Sequence, residues 1–401
     1  MSLGISMRIL VALIVGIAVA LPAHAQSLRD AVEAAWTRQP VAQAQAARES
    51  EYAARRDAAN ALTPEPPAIA FGHRTDQVNR NEGRREWEAE FSLPLWLPGQ
   101  KGRQTAVVDA ERSQFDTGVA AARLRIAGEV RDSYWQARLA ESELALARRK
   151  AEEAAALAGD VARRVKAGDL ARVDLNQAQA AGHSARVALA EAESKAFRAR
   201  QAFTTLTGMT ALPSGGERPG APFSLEAHPE LLALQRAVAA AQARLTQARL
   251  DRRDSPEVAL AMTRERSAFD HPFDHTLSFR LRLPFATDAR NQPRIAGANA
   301  QMIEAQAAYR LERNKLAAEI DAARRELAQT EAVRQLAESR FALLADTHSL
   351  LAKAFTLGEL DFVSRLRAEN ERFEAELNRD RAAIEASRAI SRLNHVQGLL
   401  P

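Results

Sequence analysis

The chain carries one pattern twice, and the two copies lie 190 residues apart. Leu93-Pro94-Leu95 matches Leu283-Pro284-Phe285, and Gly168-Asp169-Leu170 matches Gly358-Glu359-Leu360. Matched proline, glycine and Leu-Pro positions do not recur by chance in a chain this rich in alanine, and the spacing needs no gap from residue 66 onward. We therefore predict a tandem repeat. The remaining matches are Pro66 with Pro256, Val173 with Val363 and Gly208 with Gly398.

The first 25 residues have the pattern of a secretory signal peptide. Arg8 precedes an apolar run at residues 9–21, and Pro22-Ala23-His24-Ala25 has the small residues of a cleavage site. A retained membrane anchor is the alternative, but a helix over this run would cover only about 20 Å of a roughly 30 Å hydrocarbon core. We predict that residues 1–25 are removed and that the mature chain begins at Gln26.

Proline and glycine mark the boundary between the two copies. Residues 212–222 contain three prolines and three glycines, a composition that ends one helix before the next begins. We predict a first repeat at residues 26–210, a linker at residues 211–223 and a second repeat at residues 224–401.

Within each repeat the prolines are confined to one end. Residues 99–212 and residues 294–400 contain no proline, and both runs are rich in residues that favour helix. We predict a long helical hairpin in each repeat. Gly168 and Gly358 would close the first helix of each hairpin, and Asp169 and Glu359 would start the second.

The expected helix lengths match one another. A helix over residues 101–166 would be about 100 Å long, and its return partner over residues 170–208 about 60 Å. An opening helix over residues 28–60 supplies the difference, so two short helices stacked end to end would match one long helix. A rod this thin cannot bury its apolar stripe alone, and neighbouring copies must cover it.

Shorter segments have the period of a β-strand. In residues 86–93, Trp, Ala, Phe and Leu alternate with three Glu and a Ser, and residues 277–283 alternate Leu and Phe with Ser and Arg. We expect partner strands at residues 68–74 and 258–264. Their phase is less clear, because the apolar positions are odd at Ile69 and Phe71 but even at Val258 and Leu260.

Strands of this length can cross a membrane when they are tilted, but four strands cannot close a barrel. An open sheet edge in lipid leaves backbone donors and acceptors unpaired, so other subunits would have to complete the sheet. The alternative is a soluble four-stranded sheet with one wet face. The predicted fold class is mainly α with a small β part.

Composition and motifs favour a protein without catalytic activity. The chain has no cysteine, which excludes disulfides, cysteine zinc sites and a thiol nucleophile. It also contains no HExxH, GxSxG, Walker A or GxGxxG motif. The net charge of +4 is small, and arginine and glutamate alternate along the helical segments, which is typical of a solvated helix surface. We predict no enzyme activity, no cofactor and no nucleic-acid partner.

The arrangement resembles the TolC-type outer membrane efflux family over the whole mature chain. The resemblance rests on a signal peptide followed by two copies of helix, two strands and a long hairpin with Gly-x-Leu at its bend. It implies a homotrimer in which three chains form a 12-stranded outer membrane β-barrel and a periplasmic α-helical tunnel. It also implies a passive duct that joins a periplasmic adaptor and an inner-membrane pump of the resistance-nodulation-division type.

The segment Phe91-Ser92-Leu93-Pro94-Leu95-Trp96-Leu97-Pro98-Gly99-Gln100-Lys101-Gly102-Arg103 is similar to the CzcC-like branch of that family, which serves heavy-metal exporters. This resemblance implies heavy-metal cations as cargo. A drug channel or a type I secretion channel is an alternative within the same architecture. A periplasmic coiled-coil adaptor or structural scaffold is the alternative from another class.

The family resemblance assigns roles to the hairpin bends. In the family the hairpin tips contact the adaptor. Residues just beyond the glycine of the second repeat surround the tunnel entrance. A plain helix turn explains the same glycines, and a solvated helix end explains the same acids. The predicted adaptor contacts are Gly168, Asp169, Leu170, Val173, Gly358, Glu359, Leu360 and Val363, and the predicted tunnel-entrance residues are Asp174, Asp361, Ser364 and Arg367.

The alternation of the strands assigns their two faces. If the apolar side chains face outer membrane lipid, the charged ones face the lumen. Salt bridges around the barrel wall explain the opposite charges, and selectivity for charged cargo is the alternative. The predicted lipid-facing residues are Trp87, Phe91, Leu93, Leu277, Phe279 and Leu281, and the predicted lumen residues are Glu86, Glu88, Glu90, Arg280 and Arg282.

One loop collects side chains that metals bind. Asp270, His271, Asp274 and His275 have residue types that suit zinc or copper. The segment lies in a predicted extracellular loop, and a polar loop needs no further reason for histidine and aspartate. We favour a polar loop without a metal, and metal binding is the alternative.

Overall fold

The computed structural model describes residues 27–221 and 224–401. The predicted signal peptide at residues 1–25 lies outside the described residues, as do residues 222 and 223 of the predicted linker. The described chain is mainly helical and has one four-stranded antiparallel sheet, which is the predicted fold class. Its elements are α1 (Leu28–Trp36), α2 (Pro40–Ala59), β1 (Ala68–Thr75), β2 (Arg85–Pro94), α3 (Gln100–Ala167), α4 (Arg172–Thr207), α5 (Pro229–Leu250), β3 (Glu257–Arg266), β4 (Asp274–Arg282), α6 (Asp288–Leu357) and α7 (Phe362–Val396), with a short 3₁₀ turn at Leu225–Ala227.

The two longest helices are α3 and α6, with 68 and 70 residues. Each is therefore about 100 Å long, as the sequence predicts. Helix α6 begins at Asp288, ahead of the proline-free run, and includes Pro293 near its start, where the missing N–H removes one intrahelical hydrogen bond. No helix in residues 27–221 and 224–401 combines the length and the apolar character that a membrane-spanning helix needs.

The opening helix is divided, and the expected single helix over residues 28–60 is wrong. Helix α1 ends at Trp36, and Pro40 is the first residue of α2. Gln39 before it has an extended backbone, with φ −73° and ψ 139°. Because proline disfavours a helical conformation in the residue that precedes it, the chain turns here and starts a new helix.

Helix α3 is the central helix of the molecule. It contacts α1, α2 and α4 from its own repeat and α5 and α7 from the other. The short helices α1 and α4 meet against its middle, where Trp36, Tyr134 and Phe203 share one buried cluster. This confirms the expected stacking of short helices along a long one. Helix α6 contacts α5 and α7 and so forms one edge of the layer, opposite α2 and α4.

The linker between the repeats is fixed to α3 and α7. Arg131 of α3 is buried and forms an ion pair with Glu217 at 2.6 Å. The Tyr134 hydroxyl donates to the carbonyl of Gly215 at 2.8 Å. Asn394 of α7 accepts a hydrogen bond from the Gly220 amide at 2.8 Å and donates one to the carbonyl of residue 218 at 2.9 Å. Both repeats therefore hold the segment that joins them.

The sheet has the order β1-β2-β3-β4, and each neighbouring pair is antiparallel. Strands β1 and β2 form the hairpin of the first repeat, and β3 and β4 form that of the second. The pairing of β2 with β3 therefore joins the two repeats, and β1 and β4 are the edges of the sheet.

The register corrects the expected spacing of the repeats. Ile69 pairs with Phe91, and Val258 pairs with Leu281. Since Phe91 and Leu281 are 190 residues apart, Ile69 corresponds to Val258 at a spacing of 189, and the expectation of no gap is wrong here. Ile69 and Phe91 are 22 positions apart and Val258 and Leu281 are 23 apart, so the second hairpin has one more residue between equivalent positions. This shift explains the opposite phase of β1 and β3, and it makes Pro67, not Pro66, the counterpart of Pro256.

Candidate functional site

One face of the sheet is apolar and exposed. The register aligns Ile69, Phe91, Leu260 and Phe279 in one row across the four strands. Phe71 on β1 is 82% exposed, and Phe279 on β4 is 69% exposed. We call this surface the apolar face. The structure places on it all the residues predicted to face lipid, namely Trp87, Phe91, Leu93, Leu277, Phe279 and Leu281.

The opposite face of the sheet carries paired charges, and we call it the polar face. Arg280 on β4 reaches across β3 and contacts Glu90 on β2 at 2.6 Å. It can do so because Ala259 and Ala261 beneath it are small and buried. The salt-bridge interpretation of the sequence predicts such pairs, which contribute at most about 1 kcal/mol each at a solvated surface. The other ion pairs of this face are Arg280–Glu88 at 4.0 Å, Arg282–Glu257 at 3.8 Å and Arg74–Glu86 at 2.9 Å.

The two edge strands present their full length to the surroundings. Every residue of β1 and of β4 is exposed. Within the described chain, neither strand has a neighbour on its outer side. An edge of this kind leaves a row of backbone N–H and C=O groups available for another strand.

The two hairpin bends have the same geometry. Gly168 and Gly358 have positive φ angles, 88° and 79°, in the left-handed region. The amide of Asp169 donates to the carbonyl of Arg164 at 2.9 Å, and the amide of Glu359 donates to that of Ala354 at 2.9 Å. Each bend therefore closes its helix with the glycine motif that the sequence predicts.

The acids that follow these glycines do not start the next helices, so that expectation is wrong. Helices α4 and α7 are preceded by Ala171 and Asp361. Asp361 accepts a hydrogen bond from the Ser364 amide at 2.8 Å, whereas Asp174, inside α4, accepts one from the Ala171 amide at 3.1 Å. Three residues separate each glycine from the next helix, because the turn that closes the first helix uses Asp169 or Glu359. The capping acid thus occupies different positions in the two repeats.

The two tips pack against each other. Val161 and Ala178 of the first hairpin form a buried cluster with Phe355 and Phe362 of the second, and Leu170 and Leu360 pack on it. Gly168, Asp169, Gly358 and Glu359 lie exposed at the surface. Beside them, Val173 is 57% exposed and Val363 is 48% exposed. The Gly-x-Leu motif thus has a partly buried leucine beneath an exposed surface.

Partly and fully buried polar side chains contact one another in the second hairpin near its tip. Arg365 contacts Glu369 at 2.9 Å and donates to Nε2 of His348 at 2.8 Å. Burial, and then the charge of Arg365, lower the pKa of His348 to about 4. Burial raises the pKa of Glu369 despite its ion pair. Hydrogen bonds from Ser364 lower the pKa of Asp361. Arg367, another predicted tunnel-entrance residue, is exposed.

Helix α6 carries an exposed row of leucines that the sequence interpretation missed. Leu336, Leu343, Leu350 and Leu357 are 72%, 71%, 58% and 74% exposed. We call this row the leucine stripe. Its spacing of seven residues is readable in the sequence and is typical of helices that pack along one another. Leu357 extends the stripe to the hairpin tip.

The loop with possible metal ligands forms a local pair. Nδ1 of His271 lies 3.0 Å from a carboxylate oxygen of Asp270. In the part of the chain that the structure describes, no three His, Asp or Glu side chains converge as a metal site would require. Asp274 and His275 belong to β4 and lie on opposite faces of the sheet.

Solved structures with the same fold are outer membrane channels. The chain is similar to the outer membrane protein VceC of Vibrio cholerae, with 15% identity, a TM-score of 0.75 and coverage of 92% of this chain and 96% of that one. It is also similar to the open-state MtrE outer membrane channel of Neisseria gonorrhoeae, with 17% identity, a TM-score of 0.73 and coverage of 93% and 89%.

The CmeC outer membrane channel of Campylobacter jejuni is a further structural neighbour, with 13% identity, a TM-score of 0.74 and coverage of 92% and 85%. No protein-family model matches the chain, and no curated protein sequence gives a significant match. At these identities the likeness concerns the fold. The chain therefore has the fold of these outer membrane channels, which are of the TolC type.

Proposed function

We propose that this chain is the outer membrane duct subunit of a tripartite efflux system and that it acts as a homotrimer without chemistry of its own. The observation that carries the proposal is the sheet, which has an exposed apolar face and two unpaired edges and is attached to helices about 100 Å long. The fold of known outer membrane channels supports it.

The apolar face supports contact with lipid. Contiguous exposed apolar surface on this scale marks a binding or membrane surface in most proteins. The strands have eight to ten residues, close to the length of about 9–11 residues that crosses a bilayer when tilted. In this arrangement the polar face, with its paired charges, lines the lumen.

The edges of the molecule support a closed ring of three copies. Strand β4 of one copy would pair with β1 of the next, so that three chains form a 12-stranded barrel without edges. In the helical part, α6 lies at one edge of the layer and α2 with α4 at the other. The leucine stripe would then pack on apolar side chains of the neighbour, such as Val187 and Phe197 of α4, which are 61% and 63% exposed.

The hairpin tips lie at the end of the molecule farthest from the sheet, where a partner in the periplasm would meet them. Their exposed apolar side chains, Val173, Val363 and Leu357, suit a helical adaptor that packs on small apolar residues. We propose that this surface contacts the periplasmic adaptor of a resistance-nodulation-division pump. Asp174, Asp361, Ser364 and Arg367 would lie at the tunnel entrance.

Fractionation and mass measurement test the duct itself. We expect the full chain, expressed in a Gram-negative host, to be recovered in the outer membrane, to need detergent for extraction and to have the mass of three chains by native mass spectrometry. A chain that stays in the soluble periplasmic fraction without detergent would contradict the proposal.

Heavy-metal cations are the cargo that we propose within this function, on the basis of the strand-end segment at residues 91–103. The test is deletion of the gene followed by challenge with zinc, cobalt, cadmium, copper and several drugs. Sensitivity to metals that the intact gene reverses is the expected result. Sensitivity to drugs alone would leave the duct in place and remove the metal cargo.

A further inference from the structure

Basic residues stand at one end of the apolar face. One row of direct cross-strand partners lies next to the hairpin loops and consists of His73, Trp87, Arg264 and His275. The row formed by Leu93, Val258 and Leu281, near the helices, is entirely apolar. The apolar face is therefore polar and positively charged at its loop end only.

Aromatic rings and guanidinium groups are stacked at this end. The ring of His73 lies on that of Trp87, with centroids 3.9 Å apart. Arg264 and Arg266 both lie over the ring of Phe273, at 4.3 Å and 4.9 Å from its centroid. We call these five residues, together with His275, the loop-end band. It combines apolar rings with cations, which is the composition of a surface at the boundary between hydrocarbon and headgroups.

The arginines of the loop-end band differ from those of the polar face. Arg74, Arg280 and Arg282 each form an ion pair with a glutamate. In the described residues, neither Arg264 nor Arg266 has a carboxylate within ion-pair distance. Two neighbouring guanidinium groups without an internal counter-ion, on an otherwise apolar face, form a surface complementary to phosphate.

A groove connects this charge to the apolar part of the face. It has a volume of about 450 Å³ and is lined by Phe71, His73, Trp87, Met262 and Arg264, among others. Its lining combines apolar side chains with Arg264, and it also includes Glu88. The shape and polarity suit a molecule with an acyl chain and an anionic head.

We propose that the loop-end band binds the phosphate groups of an anionic lipid in the outer leaflet, with an acyl chain in the groove beside Trp87. The proposal rests on the proposed function, because the loops lie on the outer side only if the helices are periplasmic. Basic residues at a membrane surface attract anionic headgroups, and an arginine can hold a phosphate through two hydrogen bonds. The asymmetry of the face thus matches a membrane whose outer leaflet is rich in phosphorylated glycolipid.

The test compares two double variants of the full chain. Arg264→Gln with Arg266→Gln removes the cations of the loop-end band. Arg280→Gln with Arg282→Gln removes the same charge from the polar face of the same sheet and is the matched control. Each protein is reconstituted into vesicles of phosphatidylcholine alone, with phosphorylated lipid A, or with lipid A whose phosphates have been removed. Flotation reports insertion, and mass spectrometry reports the lipid retained after detergent extraction.

We expect the wild type and the control to retain phosphorylated lipid A and the Arg264/Arg266 variant to retain about tenfold less, since two surface cations are lost. Equal retention by both variants, or equal retention of the dephosphorylated lipid, would overturn the lipid site while flotation still supports the duct. If the wild-type protein does not float with any of the vesicles, both the lipid site and the duct are wrong. If inorganic phosphate alone stabilises the wild type as much as the lipid does, the site is one for free anions and the lipid proposal is wrong.

Discussion

Helices α3 and α6 occupy equivalent positions in the two repeats, yet they have opposite surroundings. They differ by two residues in length, and each leads to the same glycine bend. Helix α3 has buried residues from Val107 to Val161, whereas the buried residues of α6 are Asn291, Leu316, Ala323 and Phe355. Duplication therefore preserved secondary structure and not environment. One copy became the core of the molecule, and the other became an edge that a neighbour can cover.

The largest expected effect concerns the buried ion pair of α3. Glu217 pairs with Arg131, whereas the counterpart of Arg131 in α6 is Asp321, whose side chain is 67% exposed and lies 3.7 Å from Arg324. We expect Glu217→Gln to lower the free energy of unfolding by about 3 kcal/mol, because it leaves a buried charge without a partner. Asp321→Asn is the control and should change it by less than about 0.5 kcal/mol. Denaturant unfolding in detergent measures both, and equal effects would show that α3 is not the more deeply packed helix.

A matched pair of leucines tests the same contrast in apolar packing. Leu146 of α3 is 5% exposed, and Leu336, its counterpart in α6, is 72% exposed. We expect Leu146→Ala to lower the free energy of unfolding by about 2–3 kcal/mol through lost burial and a cavity. In a detergent that keeps the chain monomeric, Leu336→Ala should change it by less than about 0.5 kcal/mol. Under conditions that preserve the proposed trimer, native mass spectrometry should show weaker association for Leu336→Ala, and unchanged association would argue against the leucine stripe as an interface.

The junction of the repeats should make stability depend on pH. Burial, and then the charge of Arg131, lower the pKa of His395 to about 4, and its counterpart in the first repeat is the exposed Thr205. Because the unfolded chain binds a proton near pH 6.5 and the folded chain does not, stability is complete above that pH and is lost as the pH falls towards 4. The loss at pH 5 is about 2 kcal/mol.

His395→Gln should flatten this dependence, measured as the free energy of unfolding between pH 5 and pH 7. His183→Gln in α4 is the control, because it replaces an exposed histidine outside the junction of the repeats. Burial also lowers the pKa of His228, so part of the slope should remain in the His395 variant. A slope unchanged by His395→Gln would assign the whole effect to other groups.

The smallest expected effect is the loss of stability on substitution of the glycine at either hairpin bend, and it should be equal in the two repeats. Gly168 and Gly358 have positive φ angles and no side chain near the position of an added Cβ. Substitution of either by alanine should therefore cost only the conformational strain, about 1 kcal/mol in both repeats. Gly118→Ala, inside α3 and equally free of neighbours, should instead stabilise the helix slightly. A large difference between the two bends in thermal unfolding would indicate that one of them carries tertiary contacts.

Local chemistry made much of the fold predictable from sequence. Gly168 and Gly358 stand out because only glycine readily adopts the backbone that closes each long helix. Alternation identified β2 and β4, since a strand with one apolar face repeats every two residues. The interpretation missed the division of the first helix, although Pro40 follows a rule that the sequence displays. It also missed the leucine stripe, whose spacing of seven is visible without a structure.

Other features depend on contacts that no local pattern records. The one-residue difference between the hairpins appears only when Ile69 is paired with Phe91 and Val258 with Leu281. The ion pair of Arg131 joins residues from different elements, and neither belongs to a motif. The unequal burial of α3 and α6 is of the same kind. Both helices have similar composition, and only the arrangement of the helices in the folded molecule decides which of them lies inside.

The hydrogen bonds that hold the linker have a consequence for how the chain would come apart. Its proline and glycine content is that of a flexible tether, which a protease would cut first. Glu217, Gly215 and Gly220 are instead fixed by side chains from both repeats. A protease must pull a segment into extended form, and here that requires breaking the packing of both halves. Mild digestion should therefore leave the duplicated chain in one piece, and the two repeats should unfold as a single cooperative unit.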